Sequence, residues 1–424
     1  MNLDHLLKNV DPIIASALDR ALDGKDVSTQ DAVELLDSNG IEMNLIVLVA
    51  DELRRQTVGN IVTYVINRNI NFSNVCIKRC GFCAFSRDYR TDEGYFLPTE
   101  EIVRRAKEAW SLGATEICIQ AGLPPQMDGL FYVDICKAVK KELPDIHIHA
   151  FSPEEVLYGS ARSQIPVEEY LKMLKEAGVG SLPGTAAEIL DQKIRDIISP
   201  GRITAEDWIR IIKLAHSMKI PTTSTIMYGH IETSLHQADH LALIRKIQSE
   251  THGFTEFVPL SFVHNEAPMY NSSSKIPYIR AGPTGNEIIK MHSVSRIMLN
   301  KHINNLQVSW VKEGMRMSQL LLTAGANDLG GTLINESISN AAGSQYGQMI
   351  KPKEMRAIIR SSGRVPGQRS TTYRLLEAYS DEEKEEHESQ LDKADPTQFG
   401  SYNQLIRLDK FRYHRGGKNS NHRA

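Results

Sequence analysis

The sequence predicts an α/β fold: a (β/α)8 TIM-type barrel with an N-terminal helical extension and a C-terminal extension. Three observations carry this expectation. Short β-rich runs alternate eight times with longer amphipathic runs between Ile70 and residue 340, the rhythm of a barrel of parallel strands. The chain has 424 residues, 41% of them hydrophobic, enough to bury a barrel-sized core with chain left over at both ends. An open doubly wound sheet, the competing architecture, wants a Gly-x-Gly-x-x-Gly loop after its first strand, and a cysteine loop stands there instead.

In chain order, residues 1–60 predict the helical extension. Ser28 sits three residues before Asp31 and ahead of an AVELL run, as a capping box would, and Leu45 to Thr57 continues at helical spacing. The barrel is expected over residues 61–340. Its strands are predicted near Ile70–Val75, Glu116–Ala121, Ile146–Phe151, Val179–Leu182, Thr222–Tyr228, Phe254–Phe262, Leu306–Val311 and Asp328–Leu333. Amphipathic helices lie between them, with Thr99 and Thr204 as N-caps and Gly113 and Gly178 as stops. Residues 341–424 form the C-terminal extension, with an acidic run at Glu382–Glu388 and a basic end whose expected state is a solvated, frayed tail.

Composition narrows the function. A net charge of −3 provides no basic field for nucleic acid, so a small substrate is expected. Five cysteines, an odd number, do not make a disulfide framework and fit a reducing cytoplasm, where a tight cluster points to metal or catalysis. The N-terminus lacks a continuous apolar core after a charged start, so no signal peptide is expected. No apolar run approaches the length of a membrane span.

The chemistry concentrates in NVCIKRCGFCAFSRD. Cys76, Cys80 and Cys83 are spaced C-x3-C-x2-C in the loop after the first predicted strand. Structural zinc wants four ligands, normally as two close pairs, and no second pair exists. Cys118 on a strand and Cys136 on a helix read as small buried hydrophobes. The loop also lacks the His-x-Glu partner of zinc deaminases. An iron–sulfur cluster with one open iron remains, and Phe82 beside the third cysteine would shield it from water.

This motif after the first strand of a (β/α)8 chain resembles the radical S-adenosylmethionine (SAM) superfamily. The resemblance implies a [4Fe-4S] cluster on Cys76, Cys80 and Cys83, with SAM chelating the open iron. It implies SAM contacts from Gln120 and Gly122 in QAGLPP, from Glu188 in GTAAEIL, and from Met227, Gly229 and Glu232 in STIMYGHIE. In both QAGLPP and STIMYGHIE a superfamily glycine is replaced, and QAGLPP also lacks the acid.

Longer phrases, among them ICIQAGLPP and FVPLSFVHNEAP, resemble the subunit 2 family of FO synthase, from deazaflavin (coenzyme F-420) biosynthesis. Menaquinone-pathway radical enzymes, aminofutalosine synthase and dehypoxanthine futalosine cyclase, are the alternative. The resemblance implies reductive cleavage of SAM to a 5′-deoxyadenosyl radical, hydrogen abstraction from L-tyrosine and scission of its Cα–Cβ bond. The 4-hydroxybenzyl fragment then adds to C5 of 5-amino-6-(D-ribitylamino)uracil, and 2-iminoacetate is released. A low-potential electron donor is implied, with the companion subunit 1 of FO synthase as a candidate partner.

Candidates for substrate contact lie at predicted strand ends: His149, Ser152 and Glu154 after the third strand, His230 after the fifth, and His264 and Asn265 after the sixth. Ser152 is equally placed to cap the helix starting at Pro153. Arg87 and Arg90 either neutralise cluster charge or form surface ion pairs, and Tyr95 and Phe96 read as packing.

Overall fold

The computed structural model describes residues 10–271, 276, 278–380 and 388–414. The acidic residues 382–387 and the last ten residues of the basic end lie outside the described residues.

Among the described residues, three helices precede the first strand: α1 (Pro12–Leu22), α2 (Thr29–Asp37) and α3 (Gly40–Val58). The expected box at α2 is present, with Ser28 Oγ accepting from Asp31 N–H and Asp31 accepting from Ser28 N–H at 2.8 Å. These helices cover the outer surface of helices Ser234–Thr251 and Gly285–Leu299. Helix Gly285–Leu299 is therefore buried on almost every side, and Lys290 inside it donates to Ser38 O at 2.9 Å.

Ten strands follow: β1 (Ile61–Val65), β2 (Asn67–Ile70), β3 (Glu116–Ile119), β4 (His147–His149), β5 (Val179–Ser181), β6 (Thr222–Tyr228), β7 (Phe254–Ser261), β8 (Asp328–Gly331), β9 (Val365–Arg369) and β10 (Leu375–Ala378). Parallel ladders join β2, β3, β4 and β5, and another joins β6 to β7. Single parallel bridges complete the circuit. Leu182 pairs Thr222, Phe257 pairs Leu306, and Gln307 pairs Asp328. Strand β8 pairs in parallel with β1, and Ile334 pairs Arg68 of β2. With β1 and β2 counted as one strand interrupted at Ile66, eight parallel members run round to the start, as expected of a TIM-type fold.

Two elements differ from expectation. The first strand runs Ile61–Ile70 rather than Ile70–Val75. Its asparagines Asn67 and Asn69 face the central cavity and break the apolar run that marks a buried parallel strand. Phe72–Val75 was the more apolar segment, but it makes only the bridges Ser73 to Phe96 and Val75 to Arg87. The expected seventh strand shrinks to bridges at Leu306 and Gln307, because a helix starts at Trp310.

The chain beyond residue 340 returns to the barrel. Strand β9 pairs in parallel with β1 from Ile61–Val365 to Tyr64–Gln368, and β10 folds back antiparallel on β9. The first half of the opening strand thus lies between β8 and β9, and its second half between β3 and Ile334.

Candidate active site

A cavity of about 400 Å³ opens among the strand ends, the face on which barrels carry their chemistry. The loop after β2 supplies its cysteines: Cys76, Cys80 and Cys83 all line this space, together with Phe82. Backbone bonds hold the loop's shape. Cys76 N–H donates to Arg87 O at 3.1 Å, Ile77 N–H to Leu123 O at 2.9 Å, and Gly81 N–H to Ile198 O at 2.8 Å. Burial pushes the Cys80 thiol up to about 12 against the pull of the Arg202 cation, and it raises the Cys76 thiol as well. A cationic iron core reverses this preference when thiolates bind it. Among the described residues, no three His, Cys, Asp or Glu side chains are drawn together for a single metal ion.

Beside the cysteines runs a charged chain. Arg202 meets Glu188 at 2.6 Å and Glu154 at 3.7 Å, Glu154 meets Lys78 at 3.3 Å, and Ile203 N–H donates to Glu154 at 2.6 Å. The Arg202 guanidinium also stacks over Phe82, 5.3 Å from the ring centre. Burial opposes the charge on Arg202, but Cys80, Glu188 and Glu154 more than offset it and hold the guanidinium firmly protonated.

Gln120, Gly122, Glu188 and Met227 border the same space. Gln120 Nε2 donates to Thr185 Oγ1 at 2.7 Å. A Cβ on Gly122 would stand 2.3 Å from Val75 O, so only glycine lets these two backbones approach. His149 lines the cavity, and its Nδ1 and His147 Nε2 each lie 2.7 Å from Ser181 Oγ. Burial brings the His149 imidazole down to about 4, so it is neutral at pH 7. Ser152 also reaches the lining, but its hydroxyl serves the capping box of helix Pro153–Ser163 with Glu155. Glu155 in turn accepts from Ala121 N–H at 2.9 Å, and burial raises its carboxyl to about 7.

The structure does not bring Gly229, His230, Glu232 or Asn265 to the cavity wall. Glu232 accepts from the backbone N–H groups of Gly229 and His230 at 2.6 and 2.9 Å and from Gln237 Nε2 at 2.8 Å. His230 donates from Nε2 to Met227 O at 3.1 Å. These residues pin the turn after β6 from behind. Asn265 and His264 line a separate recess outside the barrel mouth.

Several lining residues lay outside the sequence reading. On the strands, Asn67 donates to Glu116 at 2.8 Å, and burial lifts the Glu256 carboxyl to about 7 despite nearby Arg369. From β9, Arg369 meets Asp328 at 2.5 and 2.9 Å and Glu256 at 3.6 Å, while Tyr373 O–H donates to Glu256. Asn69 Oδ1 and Thr371 Oγ1 are buried in this wall without a hydrogen-bond partner. Lys312 also faces the cavity, its ammonium disfavoured by burial and steadied by Glu336, Glu313 and Glu188. Of these, only Asn69, Glu116, Glu256, Asp328 and Lys312 lay in or beside an expected strand; the others carried no sequence signal. Cys118, expected as a buried hydrophobe, borders the cavity, while Cys136 is fully buried as expected.

Comparisons with known proteins agree with this geometry. Residues 70–244 match the Radical SAM superfamily and residues 251–382 match the CofH/MqnC C-terminal region. A 5-amino-6-(D-ribitylamino)uracil–L-tyrosine 4-hydroxyphenyl transferase of Methanocaldococcus jannaschii is 50% identical over 356 residues, 83% of this chain and 98% of that protein. The Archaeoglobus fulgidus protein of the same name is 48% identical over 78% of this chain and 93% of its own length. Among solved structures, methylornithine synthase (PylB) superposes with a TM-score of 0.64 at 20% identity, covering 82% of this chain and 97% of its own. The [FeFe]-hydrogenase maturase HydG superposes with a TM-score of 0.65 at 16% identity, covering 86% and 78%. These two share the fold. The superfamily implies a [4Fe-4S] cluster and SAM, and three thiols of one loop lining one cavity are a donor set that fits such a cluster. The chain is a radical SAM enzyme and belongs to the family of the 5-amino-6-(D-ribitylamino)uracil–L-tyrosine 4-hydroxyphenyl transferases.

Proposed function

We propose that this chain joins the 4-hydroxybenzyl fragment of L-tyrosine to C5 of 5-amino-6-(D-ribitylamino)uracil; its relatives carry the name 5-amino-6-(D-ribitylamino)uracil–L-tyrosine 4-hydroxyphenyl transferase. One observation carries the reading: the cysteine loop, Phe82 and an unsatisfied polar wall share a single cavity in a chain about half identical to those transferases. The menaquinone-pathway alternative is not favoured, since the curated relatives over nearly their full lengths carry the transferase name.

In this reading Cys76, Cys80 and Cys83 hold the cluster, and Phe82, Gln120, Gly122, Glu188 and Met227 border SAM. Cluster and cosubstrate, when bound, supply the one-electron chemistry that opens tyrosine. The protein's own work is to bind, orient and exclude water. Glu154 and Glu188 keep Arg202 oriented beside the cysteines. Lys312 and Glu336, with Asn69 Oδ1 free between the strands, suit the carboxylate and ammonium of an amino acid. Neutral His149, ionised Glu116, Glu256 and the open Thr371 hydroxyl suit a pyrimidine and a polyhydroxyl chain. Gly229, His230 and Glu232 act by holding the β6 turn. Asn265 stands apart from the reacting groups.

The test is anaerobic reconstitution with iron and sulfide, then SAM, dithionite, L-tyrosine and the ribityl diaminouracil, with products read by mass spectrometry. The expected product is a tyrosine-dependent 4-hydroxybenzyl adduct, absent from Cys80→Ala. Formation of 5′-deoxyadenosine without an adduct would overturn the substrates and keep the superfamily chemistry.

A further inference from the structure

The two matched family regions end at residue 382, yet a segment that touches both flanks of the cysteine loop comes after them. Residues 388–414 form a chain of short turns: helices Gln390–Lys393 and Tyr402–Leu405, and 3-10 turns Pro396–Phe399 and Asp409–Phe411. Segments this short are not stable as isolated helices. Leu391, Phe399, Tyr402, Leu405 and Phe411 are nevertheless buried, so tertiary contacts hold the segment in place.

Those contacts fall on both ends of the loop that carries Cys76, Cys80 and Cys83. Tyr402 O–H donates to Phe85 O at 3.2 Å, two residues after Cys83. The same oxygen accepts from Asn74 Nδ2 at 3.2 Å, two residues before Cys76. One hydroxyl thus bridges the neck of the loop. The Tyr402 ring lies 5.3 Å from Phe85, and the Arg87 guanidinium stands 6.0 Å over its other side. Phe85 itself lines the cavity.

Further along, the segment pairs with the strand-like stretch that closes the loop. Phe96 N–H donates to Phe411 O at 2.8 Å, Tyr413 N–H donates to Gly94 O at 2.8 Å, and Tyr95 forms an antiparallel bridge with Arg412. The near end is fastened to the barrel. Buried Arg68 donates to Asn335 Oδ1, Asn335 Nδ2 donates to Phe399 O at 2.8 Å, and Arg68 stacks over Phe399 at 5.6 Å. The segment runs from the barrel wall across the neck of the cysteine loop.

We propose that residues 388–414 are a strap that holds the cysteine loop in its cluster-binding shape, with Tyr402 as the positioning residue that braces the loop's neck. Backbone bonds from Cys76 N–H to Arg87 O and from Arg87 N–H to Asn74 O already join the two ends at 3.1 and 2.8 Å, and the strap adds a side-chain brace that narrows the thiol arrangements further before any metal arrives. The strap acts through the cysteines and touches no reacting atom. Its role toward a cluster rests on the reading of the three cysteines given above.

The test uses full-length chain, reconstituted anaerobically, as wild type, Tyr402→Phe and Tyr402→Ala. Three quantities are read: iron loss to a ferrous chelator, the electron paramagnetic resonance spectrum of the reduced cluster, and amide hydrogen exchange of residues 74–96 in the metal-free chain. Tyr402→Phe keeps the ring, removes both hydrogen bonds of the hydroxyl and is expected to speed iron loss at least about fivefold, the factor of one typical hydrogen bond. It should also raise exchange at residues 84–96. Tyr402→Ala should speed iron loss more than tenfold and shift the spectrum, with global unfolding still cooperative. Unchanged exchange at residues 74–96 in both variants would overturn the strap. Faster exchange with unchanged iron loss and spectrum would overturn its role toward the cluster. If wild type takes up no iron, the cluster reading fails on its own account, and exchange in the metal-free chain still decides whether Tyr402 holds the loop.

Discussion

At the scale of single residues, neighbours in sequence take separate tasks. In HAFSPEE, Glu154 turns to Lys78, Arg202 and the Ile203 amide, while Glu155 turns back to cap its own helix and to hold Ala121 N–H. Sequence placed Glu154 at the site and passed over Glu155; a helix separates adjacent side chains by about 100°, yet both border the cavity, and packing alone gives them their different partners. The three cysteines were legible because their chemistry is local: one loop carries all the sulfurs. Lys312 was not, because its meaning depends on Glu336 from the loop after β8 and Asn69 from β2, both far away in the chain. Lys312→Met is expected to raise KM for tyrosine about tenfold to a hundredfold, the range for losing a bond to a charged group. KM for the uracil should stay within about twofold, checked by varying each substrate in turn. Equal rises in both would place Lys312 away from the amino acid.

At the scale of elements, the opening strand shows how the fold overrides apolar patterning. Ile61–Val65 carries β-branched residues, but the following Asn-Arg-Asn breaks the apolar run, and the strand was expected at Ile70–Val75 instead. Those polar residues are there because the strand's inner face meets the cavity and its neighbours: Asn67 bonds Glu116, and Arg68 bonds Asn335. Strand β9 was invisible for a related reason, since VPGQR carries a proline and a glycine that read as a turn. Its last residue, Arg369, is buried with two hydrogen bonds to Asp328. Arg369→Met leaves Asp328 buried without its cation, and a loss of about 3–5 kcal/mol in unfolding free energy is expected. Chemical denaturation checks it, and Arg369→Lys should recover only part because one ammonium cannot make the paired contact.

At the scale of the whole molecule, buried histidines set the acid limit. Burial brings His149, His216 and His292 down to about 4 and His240 to about 3, all from an ordinary value of 6.5. Their neutral forms stabilise the folded state fully above pH 6.5, and this is lost as pH falls toward 4, because the unfolded chain takes up protons first. Glu155 and Glu256, raised from 4.5 to about 7, act in the opposite sense: their contribution is whole below pH 4.5 and fades as pH rises through 7. Between pH 6.5 and 4.5 these four histidines oppose these two carboxyls, and the lowered His147 and His230 outnumber the raised Glu313, so stability should fall on acidification by on the order of 2 kcal/mol per pH unit. Calorimetry of the metal-free chain across this range checks the sign, and a rising midpoint would contradict neutral buried histidines.

Sequence by itself determined the alternating α/β order, the capping of α2 at Ser28, the cysteine spacing and, through that spacing, the chemistry of the superfamily. Each of these is written in residues close together along the chain, where propensity and spacing act directly. Tertiary structure alone decided that the first strand begins at Ile61, that Arg369 and Thr371 reach the cavity from beyond the expected barrel, that Glu232 faces away from it, and that Tyr402 bridges Asn74 and Phe85. Except for Glu232, which its own turn holds, these depend on residues up to several hundred positions apart, joined only when the ring of strands closes and long-range contacts outweigh local preference.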